Sequence, residues 1–148
     1  MTWLLTISIL IGVLATAEDL HRRRISNCTS MAAFGLGLAA QSVLRGPRGA
    51  GDSLLGTLVG FLVFFIFFVL GGMGGGDVKL MAGFGAVLGV RQILTAALLA
   101  AIVGGLLAML YLLLRKLRGK GRSASGEPEA IPYAPAISLG VWLSFAAR

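Results

Sequence analysis

The sequence predicts an all-α fold: a polytopic membrane bundle of about six transmembrane helices, forming one domain over residues 1–148. Three observations predict it. Of the 148 residues, 57% are hydrophobic and 13% are charged, against about 25% charged in an ordinary soluble domain. Mean hydropathy is +0.90, more apolar side chain than a soluble fold of this length can hide. The apolar residues also form continuous runs rather than alternating ones, and lipid admits only helices or closed barrels. An ordinary soluble domain and a disordered chain are both excluded.

The runs lie at 2–17, 29–44, 53–72, 78–90, 93–114 and 131–147. A span needs about 20 residues, and 78–90 is short. Either its helix continues past Arg91 or it starts inside the membrane. Residues 18–28 are a linker carrying Arg22, Arg23 and Arg24, and 45–52 read as a turn rich in Gly and Pro. Residues 71–76 are five Gly and one Met. Residues 115–130 are basic, then Gly/Ser-rich, and read as a flexible cytoplasmic loop.

Basic residues set the orientation. The first, third and fifth loops hold Arg22, Arg23, Arg24, Arg115, Lys116, Arg118, Lys120 and Arg122. The opposite side holds Arg45, Arg48, Arg91 and Arg148. The richer side is expected in the cytoplasm, with both termini outside, and Asp19 and Asp77 then lie near the same cytoplasmic face. The net charge of +7 is explained by these flanking positions and does not indicate nucleic acid. Ala15-Thr16-Ala17 has the look of a signal-peptide cleavage site. However, the Arg cluster follows the apolar run instead of preceding it, which argues against cleavage.

Chemistry-bearing residues are few. The carboxylates are Glu18, Asp19, Asp52, Asp77, Glu127 and Glu129, and His21 and Cys28 are single. One Cys excludes a disulfide within the chain, and the set holds no Cys/His zinc site. No metal or other cofactor is expected, and Cys28 reads as a buried or reduced thiol. Neither G-x-S-x-G nor a phosphate-binding Gly-Lys-Ser/Thr loop occurs.

Asp77 follows Gly74-Gly75-Gly76, whose backbone freedom and lack of side chains permit a substrate strand to approach. It reads equally as a working carboxylate near a span or as a helix cap. Asp19 ends the first run, and its plain reading is an interfacial Asp neutralised by the Arg cluster. Two carboxylates on one face form a set able to share a proton and activate water. Asp52 is expected to cap the run that follows it.

Gly74-Gly75-Gly76-Asp77-Val78-Lys79-Leu80-Met81 resembles the G-x-G-D motif of the prepilin peptidases, polytopic aspartic proteases that remove the leader of type IV pilin-like precursors. Asp19-Leu20-His21-Arg22-Arg23-Arg24-Ile25-Ser26-Asn27 is similar to the family's Asp, basic stretch and Ile-Pro-Asn, with Ser26 in place of the Pro. Ile131-Pro132-Tyr133-Ala134-Pro135-Ala136-Ile137 is similar to the family's last-span entry.

The resemblance implies that Asp19 and Asp77 are the catalytic pair, with Gly74, Gly75, Gly76 and Lys79 binding substrate or supporting the loop. Lys79 otherwise snorkels to the interface. It implies a prepilin or pseudopilin substrate whose basic leader ends in Gly, in the bilayer of the bacterial inner membrane. The Arg22–Arg24 cluster is placed to attract an acidic residue beyond the cut, or serves only as an anchor. The chain begins with its first span and has one Cys, so it looks like the short, peptidase-only type associated with Flp/Tad pili, without methyltransferase activity. The rival readings are a non-enzymatic membrane assembly subunit and a small proton-coupled transporter. G-x-x-x-G spacings at Gly56/Gly60 and Gly85/Gly89 permit close helix packing, within this chain or between copies.

Overall fold

The computed structural model describes residues 2–117 and 133–147, all helix or connection. The element order is α1 (Thr2–Arg22), α2 (Asn27–Val69), α3 (Gly75–Leu88), α4 (Val90–Leu117) and α5 (Ala134–Ala146). The helices α1, α2 and α4 are long and apolar enough to cross a bilayer. The helices α3 and α5, with 14 and 13 residues, are shorter than the roughly 20 residues that a full span needs.

The expected turn at 45–52 shrinks to one residue. Gly46 takes φ 62°, ψ −147°, and Pro47 follows it inside helical backbone. Only glycine visits that region cheaply, and proline is at home in a helix's first turn. The chain reverses there, and a Cβ on Gly49 would run into the Gln41 carbonyl. The two arms of α2, 27–45 and 47–69, therefore fold back on each other.

The short run 78–90 does not continue past Arg91. Gly89, at φ 77°, ends α3 and α4 starts at once. From Leu80 onward the α3 helix is apolar all round and buried: Leu80, Met81, Phe84, Ala86 and Val87 have no exposed surface. Such a helix belongs in the core, and the arms of α2 enclose it. Gly37 of the first arm lies where a Cβ would sit 2.6 Å from Val87 N. Gly56 of the second arm meets Gly85 backbone to backbone, and a Cβ on Gly60 would sit 2.7 Å from the Met81 carbonyl. The G-x-x-x-G pairs thus find their partners within this chain. Gln41, 1% exposed, reaches from the first arm to donate from Nε2 to the Val87 carbonyl at 2.8 Å. That satisfies an acceptor near the α3 C-terminus, where carbonyls lack helical partners.

A second antiparallel pair is α1 with α5. Trp142 Nε1 donates to the Ser8 carbonyl at 3.2 Å, and Ser138 Oγ donates to the Gly12 carbonyl at 3.1 Å. The α4 helix packs along α5, with Gly104 against the Tyr133 ring and Gly140 against the Ala100 backbone. It continues past Tyr133 to Leu117, so 115–117 are helix and not loop. Residues 118–130 of the expected loop, and Ile131 and Pro132, lie outside the described residues. Cys28 is exposed, not buried.

Close contact at Gly56 and Gly85 makes a stability prediction. Gly85→Val or Gly56→Val forces a side chain into opposing backbone and should cost about 1–3 kcal/mol or more. Gly35→Ala, with nothing within 4 Å of its Cβ position, should be neutral or stabilising by about 0.5–1 kcal/mol. Thermal melts in detergent check both; equal melting temperatures for all three variants would remove the packing argument.

Candidate active site

One end of the bundle gathers the C-terminus of α1, the N-termini of α2, α3 and α5, and the connections between them. Asp77 is in the first turn of α3, where its Oδ2 accepts the Gly74 N–H at 3.2 Å. The cap reading of Asp77 is therefore realised, and it fixes the carboxylate. Asp19 lies in the last turn of α1, and its Oδ2 accepts the backbone N–H of Ala134 at 3.0 Å. That donor opens α5, where unpartnered N–H groups and the helix dipole favour a carboxylate.

The two aspartates line one cavity of about 290 Å³ with Arg23, Arg24, Ile25, Gly74, Gly75 and Gly76. Each is 8% exposed. Two carboxylates so placed resist double ionisation and can hold one proton between them. A water in such a cavity would face one carboxylate able to accept its proton and one able to donate.

Of the two properties expected of the glycines, the missing side chains matter here more than the backbone freedom. Gly74 is extended at φ −82°, ψ 154°, and Gly75 and Gly76 are already helical. The left-handed conformation falls on Gly71, at φ 75°, next to the end of α2. Gly74–Gly76 instead keep the cavity wall low: a Cβ on Gly76 would sit 3.4 Å from Ile25 Cβ. Lys79 does not face the aspartates. Its Nζ donates to Asn27 Oδ1 at 3.0 Å, tying α3 to the start of α2.

Asp52 does not cap its own helix. It sits inside the second arm of α2, and its Oδ1 accepts the Val90 N–H of α4 at 3.1 Å. Its other oxygen lies 3.6 Å from Arg45 Nη1. It stands beside Gly89, at the opposite end of α3 from Asp77.

Sequence reasoning missed Glu18. Its carboxylate accepts from Ser26 N and Ser26 Oγ at 3.0 Å each, and from Thr29 Oγ1 at 2.9 Å. An acidic residue next to Asp19 and eight residues before a helix-capping Ser was the available signal. Among the described residues no group of three or more His, Cys, Asp or Glu could hold a metal ion.

A model of the type IV leader peptidase family matches residues 4–109. A prepilin leader peptidase/N-methyltransferase of Bacillus subtilis is 35% identical over 142 residues, covering 94% of this chain and 52% of that protein. Proteins of the same name from Aeromonas hydrophila and Pseudomonas aeruginosa are 30% and 36% identical over 110 and 100 residues. Those matches cover 70% and 63% of this chain, and 35% and 32% of those proteins. The chain thus spans about half or less of the length of these relatives. No solved structure matches it.

The shared cavity predicts a cross-link. With Cys28→Ser as background, an Asp19→Cys, Asp77→Cys double variant should be bridged by a short bis-maleimide. A protease site inserted at Gly72 then yields one linked species instead of two fragments. Two fragments at every linker length would mean that the side chains do not share the cavity.

Proposed function

The chain belongs to the type IV leader peptidase family, and on that premise we propose that it is a membrane aspartic endopeptidase. It cleaves the leader from prepilin-like precursors after Gly. The single observation that carries the reading is the cavity that Asp19 and Asp77 line together. One aspartate takes a proton from water as that water attacks the scissile carbonyl. The other, protonated, polarises the carbonyl oxygen and then protonates the leaving amine. The Ala134 and Gly74 N–H groups hold the two carboxylates in place, so orientation does not have to be found at each turnover. The low wall of Gly74–Gly76 admits an extended substrate backbone.

In this reading the aspartate end faces the cytoplasm of the inner membrane and both termini lie outside. The connection with Arg22, Arg23 and Arg24 lies at that end, as positive-inside bias requires. In the same reading the chain carries out the peptidase step without methyl transfer, in the manner of the Flp/Tad type.

Purified protein incubated with a Gly-ended prepilin in detergent or vesicles should release the leader. Asp19→Asn and Asp77→Asn should each lower the rate about 10²–10⁴-fold, the scale of general acid–base catalysis. Asp52→Asn, at the far end, should cleave within a few-fold of the parent. Either dyad variant cleaving at full rate while folded would sink the assignment. An intact precursor with the parent protein would favour an assembly subunit.

A further inference from the structure

The connection between α1 and α2 is short and carries one wall of the cavity. Arg23, Arg24 and Ile25 line it, and Ile25 packs against Gly76. Arg23 takes φ 50°, a left-handed conformation that costs a bulky side chain about 1 kcal/mol or more. The wall needs restraint at both ends to keep that shape. At its start, Arg23 N donates to the Asp19 carbonyl at 2.8 Å, closing the last turn of α1. At its end stands Ser26, the N-cap of α2, whose Oγ accepts from Thr29 N at 3.2 Å.

Ser26 is itself held from α1. Glu18 receives its backbone N–H, its hydroxyl, and the hydroxyl of buried Thr29, with both carboxylate oxygens engaged. Charge-assisted hydrogen bonds of this kind are the strong ones, and three on one carboxylate leave it a single orientation. Glu18 is the residue before Asp19, so one turn of α1 supplies both a cavity carboxylate and the clasp on the opposite wall.

We propose that Glu18 is a positioning residue for the peptidase reaction: it clasps Ser26 and Thr29 and so holds the Arg23–Ile25 wall in register with Gly74–Asp77. This rests on the dyad reading. Glu18 touches no substrate and exchanges no proton in the reaction; it acts through the shape of the wall.

The test uses leader cleavage by the full chain in detergent, with Asp77→Asn as reference. Glu18→Ala should lower kcat about tenfold or more, since small misplacements near reacting groups cost up to about 10²-fold. Glu18→Gln, which keeps acceptor oxygen but less of it, should fall between. Ser26 has φ −71°, which a proline ring matches. Adding Ser26→Pro to Glu18→Ala replaces the hydrogen-bonded restraint by a covalent one and should recover most of the lost kcat. Glu18→Ala cleaving at the parental kcat, while Asp77→Asn is inactive, overturns the proposal and leaves the dyad standing. Loss in Glu18→Ala that Ser26→Pro does not recover also overturns it, as a general structural defect. Full cleavage by Asp77→Asn instead overturns the dyad reading.

Discussion

The burial of α3 is the constraint on which the rest of the structure depends. A 14-residue helix cannot cross a bilayer alone, and from Leu80 onward this one is apolar on every side. It needs company close enough to exclude both lipid and water. Side chains of ordinary size would keep neighbouring helices about 8–10 Å away, whereas glycine facing glycine lets backbones touch. The arms of α2 approach in that way at Gly37, Gly56 and Gly60. Once α3 is fixed, its two ends are fixed, and each end receives a carboxylate: Asp77 at the start, Asp52 beside the finish.

The candidate dyad joins two helix pairs that share one core. Asp77 belongs to the α2–α3 unit, held by glycine contacts. Asp19 belongs to the α1–α5 pair, held by Ser8, Gly12, Ser138 and Trp142. Each aspartate is oriented by a backbone N–H of its own half or of the helix packed against it. The covalent link between the halves near the cavity is the four-residue connection Arg23–Ser26.

Much of this was legible in the sequence because membrane chemistry is strict. Scarce charge and continuous apolar runs give the all-helical class, and Asp19 and Asp77 stand out among six carboxylates. Their meeting in one cavity was not readable from spacing, since it depends on α5 delivering the Ala134 N–H to α1. The reversal at Gly46 read as a longer turn because Gly and Pro signal a break without giving its length; here one positive φ suffices. Asp52 read as a cap, and it is one, but for α4, because helix periodicity does not show which foreign helix end lies beside a side chain. Backbone freedom was read into Gly74–Gly76, yet within residues 71–76 only Gly71 uses a conformation that other residues avoid. Glu18 was hidden by its neighbour: beside an Asp and an Arg cluster it looks like one more interfacial charge.

On the proposed reading, cavity size does not pick out the working end; the chemistry of its lining does. A larger cavity, about 540 Å³, opens at the other end of α3 between Arg45, Asp52, Arg91, Gln92 and Ser144. Its carboxylate, Asp52, already holds the Val90 N–H with one oxygen and faces Arg45 with the other. Both of its oxygens are thus already engaged by groups of this chain. The smaller cavity places two buried aspartates together. The same residue type caps a helix start at both ends of α3. At one end of α3 the cap lies beside a second carboxylate, and at the other beside Arg45.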